Sequence, residues 1–132
     1  MTHQAILPEG WPRPKGYANG VVARGRMLFI AGTIGWDAQE RIVSDDFGAQ
    51  ARQALDNVAQ VLRAAGGKPE NIVRMTWYVT DKREYLAAAR EIGQAFRELI
   101  GCYDIAMTAV EVKALIEDRA KVEIEATAVL PD

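Results

Sequence analysis

Chemistry in this chain has to come from carboxylates, tyrosines, threonines and bare backbone amides, because the usual nucleophile–base partners are nearly absent. There is one histidine, His3, in what reads as a loose tail, one serine, Ser44, in a loop, and one cysteine, Cys102. A nucleophile needs a base within hydrogen-bond reach, and a tetrahedral metal site needs several nitrogen or sulfur ligands. The chain offers neither set. A lone cysteine also excludes an intramolecular disulfide, and no cation adjoins Cys102 to favour its thiolate, so it reads as a small packing residue.

The clearest acidic pattern lies near the C-terminus. Val122, Ile124 and Ala126 alternate there with Glu123, Glu125 and Thr127. A period of two puts the apolar residues on one face of a strand and both carboxylates on the other. Glu123 could hold a water for attack in a partly desolvated cleft. It could equally be a solvated strand glutamate paired with Lys121 or with a neighbouring subunit. Gly32-Thr33-Ile34-Gly35 could offer amides to an anion or simply make a turn; it lacks the lysine and helix start of a phosphate loop. Tyr17 follows a segment rich in proline and could bond a ligand or pack its ring with the phenol tip wet. Trp36, just past Gly35, is the aromatic best placed for a cleft or interface, whereas Trp77 reads as core.

The elements that position these residues follow from periodicity and punctuation. Residues 1–16, with Pro8, Pro12 and Pro14, predict an extended lead-in. Residues 17–23 and 27–31 are apolar runs around Arg24-Gly25-Arg26, a hairpin signal, and residues 41–43 suggest a short third strand. Asp45-Asp46 then open a helix in which Phe47, Ala51, Ala54, Leu55, Val58, Leu62 and Ala65 recur at helical spacing, ended by Gly66-Gly67. Ile72–Val79 reads as a strand from its β-branched and aromatic content. Asp81 with Glu84 resembles a capping box for a second helix that Gly101 stops. Residues 105–112 and 120–129 form a closing pair of strands. The order is β-β-(β)-α-β-α-β-β, an α+β domain spanning residues 1–132 with two helices on one face of a mixed sheet.

A helix layer on one side leaves the other face of the sheet uncovered, and self-association is the simplest cover for strands this apolar. The 132 residues carry 16 Lys+Arg and 18 Asp+Glu, a net charge of −2 without a basic stripe, which argues against nucleic acid as a partner. No apolar stretch approaches the ~20 residues of a membrane span, and residues 1–10 lack the pattern of a secretory signal. A cytoplasmic protein without membrane partner is the plain expectation.

The ordered pieces Gly16-Tyr17-Ala18-Asn19-Gly20, Ile30-Ala31-Gly32-Thr33-Ile34, Gln50-Ala51-Arg52-Gln53-Ala54-Leu55-Asp56-Asn57, Ala64-Ala65-Gly66, Val110-Glu111-Val112 and Val122-Glu123-Ile124-Glu125-Ala126 run through nearly the whole chain. Together they resemble the RidA/YjgF imine and enamine deaminase family, also labelled endoribonuclease L-PSP. The resemblance implies a chorismate-mutase-like fold, a homotrimer with small-molecule ligands in clefts between subunits, no cofactor or metal, and hydrolysis of reactive imines and enamines. It assigns Glu123 to positioning the attacking water. It assigns Tyr17 and the backbone amides of Gly32 and Ala109 to the cleft.

One position departs from that pattern. Counting back from Val110-Glu111-Val112, the place of the family's carboxylate-binding arginine holds Met107. Arginine grips a carboxylate through two parallel bonds, each contributing roughly 1.5–3 kcal/mol, and methionine donates nothing. A 2-imino acid is therefore expected to bind poorly, and a neutral or more apolar ligand better. Arg13, Lys15, Arg90, Lys113 and Arg119 are the cations that could replace the missing charge. Ile116 also stands where a proline is usual, in a connection one residue longer than the family's.

Overall fold

The computed structural model describes residues 3–101 and 104–132, so the reading of Cys102 lies outside it. Two short strands, β1 (His3–Ile6) and β2 (Gly20–Ala23), pair antiparallel as a separate ribbon. The main sheet contains β3 (Arg26–Ile34), β4 (Ile72–Val79), β5 (Ala106–Glu111) and β6 (Val122–Leu130), in the spatial order β3-β6-β4-β5. β6 runs antiparallel to both β3 and β4, and β4 is parallel to β5. Three helices complete the chain: α1 (Phe47–Ala64), α2 (Lys82–Ala87) and α3 (Ala89–Leu99). This is the expected α+β architecture, a mixed sheet with a helical layer.

The core lies between that layer and one face of the sheet. Asp46 caps α1 by accepting from the Ala49 amide at 2.9 Å. The helix buries Ala51, Ala54, Leu55, Val58, Ala59 and Leu62, whose small alanines allow its axis to lie close to the strands. Ile72, Met75, Trp77 and Val79 of β4 and Val122, Ile124, Ala126 and Ala128 of β6 meet it from the sheet. Burying each large apolar side chain contributes about 1.5–3 kcal/mol. Trp77 is core, as read, although its indole N–H is buried without a partner. The opposite face carries no helix; Met27 and Phe29 stand there 60% and 72% exposed.

Several local expectations need correcting. His3 is not in a loose tail but in β1, opposite Ala23; four residues containing Gln4 give no strand signal. The runs around Gly25 are not a hairpin, because β2 pairs with β1 whereas β3 pairs with β6. Gly25 does take a positive φ of 146°, but a Cβ there would sit 2.1 Å from the Leu130 carbonyl oxygen. The glycine thus allows close passage of β6 rather than a two-residue turn. Residues 41–43 make only one bridge, Ile42 to Trp36. The second helix breaks at Ala88, and nothing in the residues around it explains the break. Asp81 caps it alone, while Glu84 turns away to bond Lys121 at 3.1 Å. The last two strands are not neighbours either: β4 lies between β5 and β6.

Candidate functional site

Sheet register decides which of the singled-out residues can meet. On β4, Met75, Trp77 and Val79 point into the core, so Arg74, Thr76 and Tyr78 point to the open face. Met107 of β5 is in register with Met75, and Glu123 of β6 with Tyr78. Directly opposed residues share a face. Met107 therefore lies on the helix side of the sheet and Glu123 on the open side.

On the helix side is a cavity of about 610 Å3, lined by Tyr17, Tyr85, Ile92, Phe96 and Met107, with Arg13, Arg97 and Asp104 as its charged members. Tyr17 reaches it because the Ala18 amide donates to the Ile105 carbonyl at 2.9 Å, docking the N-terminal segment along the start of β5. Tyr85 is an aromatic wall, its ring 6.2 Å from that of Phe47 and 6.0 Å from that of Trp77. Burial pushes its phenol above the ordinary value. Ala109, two residues beyond Met107, shares its side of β5 but is exposed and does not line the cavity.

On the open face a second recess, about 390 Å3, gathers Gly32, Tyr78, Leu115, Ile116, Glu123 and Glu125. A Cβ on Gly32 would lie 2.1 Å from a Glu123 carboxylate oxygen, so the carboxylate rests against the bare backbone of β3. Glu123 is half-buried and does not pair with Lys121, whose ammonium bonds Glu84 instead. Tyr78 donates a short hydrogen bond to Glu125. That bond, desolvation and the nearby Glu125 and Glu123 charges raise the Tyr78 phenol above 10.0. It stays a neutral donor beside the two carboxylates. Ile116 stands fully in water at the edge of this recess.

Two amide side chains of α1 hold this recess in place. Gln50, wholly buried, donates to the Ser44 and Arg119 carbonyls at 2.8 and 3.0 Å and accepts from the Lys121 amide at 2.8 Å. Asn57 donates to the Ile34 and Trp36 carbonyls at 3.0 and 2.8 Å. One fixes the entry to β6 two residues before Glu123; the other fixes the chain just past Gly32. Trp36, singled out for a cleft, is half-buried and lines neither recess.

The chain thus brings Tyr17 to Met107 and Gly32 to Glu123, but keeps the two pairs on opposite faces. Sequence reasoning missed Tyr85, Ile92 and Phe96 as cavity residues because their helical period is that of a core stripe, and Arg97 because an exposed helical arginine carries no signal of its own. Tyr78 escaped notice beside Trp77, the residue of that strand read as core; its place two residues beyond Thr76 on the alternate face was the available signal. Of the cations considered as substitutes, Arg13 lines the helix-side cavity, whereas Arg119 is held by Asp45 at 2.9 Å. Among the described residues no three His, Cys, Asp or Glu side chains group as a metal site, and no helix is long and apolar enough to cross a membrane.

Fold and recesses define a two-layer α+β protein with small-molecule-sized hollows on both faces of one mixed sheet. The profile of the family described as Endoribonuclease L-PSP matches residues 12–130, and the chain belongs to that family, which includes the RidA and YjgF proteins. It is 36% identical over 127 residues to the 2-iminobutanoate/2-iminopropanoate deaminase of Salmonella typhimurium, covering 96% of this chain and 97% of that one. Among solved structures it is similar to the Rid-family protein YyfB of Yersinia pestis, with a TM-score of 0.87, 34% identity and coverage of 98% and 100%. It is also similar to Escherichia coli TdcF, solved with bound serine, with a TM-score of 0.71, 33% identity and coverage of 96% and 98%.

Proposed function

We propose that this chain hydrolyses an imine, enamine or related electrophile, with Glu123 orienting the water, in a cleft completed between copies of the chain. The observation that carries this reading is the contact of the Glu123 carboxylate with the bare backbone at Gly32. It leaves a carboxylate, an exposed stretch of main chain and a neutral phenol facing one small recess. The Salmonella relative, named a deaminase of 2-imino acids, supports the reaction class.

In the proposed reaction water donates a hydrogen bond to Glu123 and attacks the imine carbon. The carboxylate takes one water proton as the C–O bond forms, and the nitrogen is protonated in turn. Collapse of the carbinolamine breaks the C–N bond, releasing ammonia and leaving a carbonyl. The balance is one water consumed per ammonia released, with no redox change and no cofactor. The binding half of the cleft, Tyr17, Met107 and the edge of β5 at Ala109, sits on the far face from Glu123. A second copy has to bring it round, and a homotrimer is the expected assembly. The exposed Met27 and Phe29 favour burial of the open face in this way.

Met107 makes hydrolysis of 2-imino acids weak or absent in this reading. It also favours a second one, a ligand-binding regulator that kept the scaffold and lost the reaction. Ammonia release from imines generated in place by an amino-acid oxidase separates the two. The hydrolase reading expects turnover on at least one bulky or neutral imine and its loss in Glu123→Gln. No release above the uncatalysed rate from any imine, or full activity in Glu123→Gln, overturns it.

A further inference from the structure

The helix-side cavity has features that a site for a two- or three-carbon imino acid does not need. At about 610 Å3 it lies well inside the ~300–1,000 Å3 range of pockets for drug-sized ligands, and a three-carbon acid would leave most of it to water. Its apolar wall is formed by Tyr85, held edge-on to Phe47, and by Phe96 and Met107. A thioether is pliant and polarisable and makes favourable contacts at the edge of an aromatic ring. Where the family's arginine would bring charge to this wall, Met107 extends its apolar character.

Charge enters instead from two other directions. Arg13 comes from the proline-rich segment and Arg97 from α3, against a single lining carboxylate, Asp104. Arg41, Arg52 and Arg119 are each paired with an acid, but Arg13 and Arg97 have no carboxylate within 4 Å among the described residues. Arg97 also folds back along its helix. One of its guanidinium nitrogens lies 3.3 Å from where a Cβ on Gly93 would be, and Gly93 itself lines the cavity. The glycine leaves room for the guanidinium over the cavity wall.

We infer that this cavity takes an organic acid with an aromatic or large branched apolar body. The body packs on Tyr85, Phe96 and Met107, and the anionic group is held by the guanidinium groups of Arg13 and Arg97, away from position 107. The inference rests on reading the cavity as the binding half of the cleft proposed above, and it names the substrate class: an imine or enamine of a bulky acid rather than of a short 2-imino acid.

The test is calorimetric titration of the intact protein with 3-phenylpropanoate, its neutral amide and pyruvate. The acid is expected to bind at least about tenfold more tightly than the amide, since a charge-assisted bond is made only by the former. Pyruvate is expected to give no measurable binding. In Arg13→Gln/Arg97→Gln, both positions being exposed, the acid should fall to the affinity of the amide while the unfolding midpoint stays put. Equal affinity of acid and amide, an acid preference that survives the double substitution, or no binding of either probe overturns the inference. Ammonia release, measured separately, keeps the two proposals apart. Acid selectivity without hydrolysis of any imine discards the hydrolase and keeps the ligand class; hydrolysis without acid selectivity does the reverse.

Discussion

The Glu123 carboxylate fills the place a Cβ at position 32 would take, and that makes glycine a requirement of the site rather than of the backbone. The nearest atoms to a Cβ at position 32 are the Glu123 carboxylate and its stem, the far end of a flexible side chain. Gly32→Ala should therefore swing the carboxylate aside without unfolding anything. The expected outcome is a loss of turnover of about tenfold or more with an unfolding free energy changed by less than about 1 kcal/mol. Equal activity in Gly32→Ala would show that this contact does not position the carboxylate. Met107 is the complementary residue. Met107→Arg returns a forked cation to the far half of the cleft and should raise kcat/KM for short 2-imino acids by at least one to two powers of ten, roughly the value of one charge-assisted bond of the fork. It should lower activity on bulky apolar substrates, read in the same ammonia assay.

At the scale of elements, α1 locks the two strand ends that carry Gly32 and Glu123. Gln50 makes three hydrogen bonds in a fully buried position, and its removal strands the Lys121 amide and two carbonyls. Gln50→Ala is expected to lower the unfolding free energy by roughly 2–4 kcal/mol, checked by urea denaturation, because orphaned buried groups forfeit their full desolvation cost. The sequence motif around Gln50 and Asn57 was legible as part of a helix, and its caps located α1 to within one residue. What the two amides do was not legible, since apart from the Ser44 carbonyl, six residues before Gln50, the backbone groups they hold lie 21 to 71 positions away. The same limit hid strand partners: β2 and β3 looked like a hairpin because they are close in sequence, yet each pairs elsewhere. β5 beside β4 could have been deduced, since a strand–helix–strand unit crosses over to a parallel neighbour. That rule, applied to residues 72–111, would have placed Met107 on a strand beside β4; that β6 takes the other edge of β4 it does not tell.

For the whole molecule, charge and burial set the range of pH over which the fold holds. Arg119 beside Asp45, Arg52 beside Glu98 and the Arg41 amide on Asp37 hold these carboxyls below their ordinary values. A depressed carboxylate stabilises the fold above its unfolded value, near 4, and that help is lost as pH falls through the lower folded value. Tyr78, through its bond to Glu125, and Tyr85, through burial, are raised above 10.0, so their contribution is intact below that value and lost as pH rises past their folded values. Urea midpoints should stay flat from about pH 5 to 9 and decline on both sides; the acid arm is shallow because its ion pairs are exposed. Tyr78→Phe should reduce the alkaline decline.

In the proposed arrangement no single copy holds a complete site. The most direct measurement mixes two disabled chains: Glu123→Gln, intact on the helix side, and Ala89→Trp, which fills the helix-side cavity and leaves Glu123 in place. Each alone should release almost no ammonia from a turned-over imine. Unfolded and refolded together they should recover activity in roughly a quarter of the sites, the share that random pairing in a closed ring gives two intact halves. No recovery on co-assembly, or full activity of either variant alone, would contradict a cleft shared between copies.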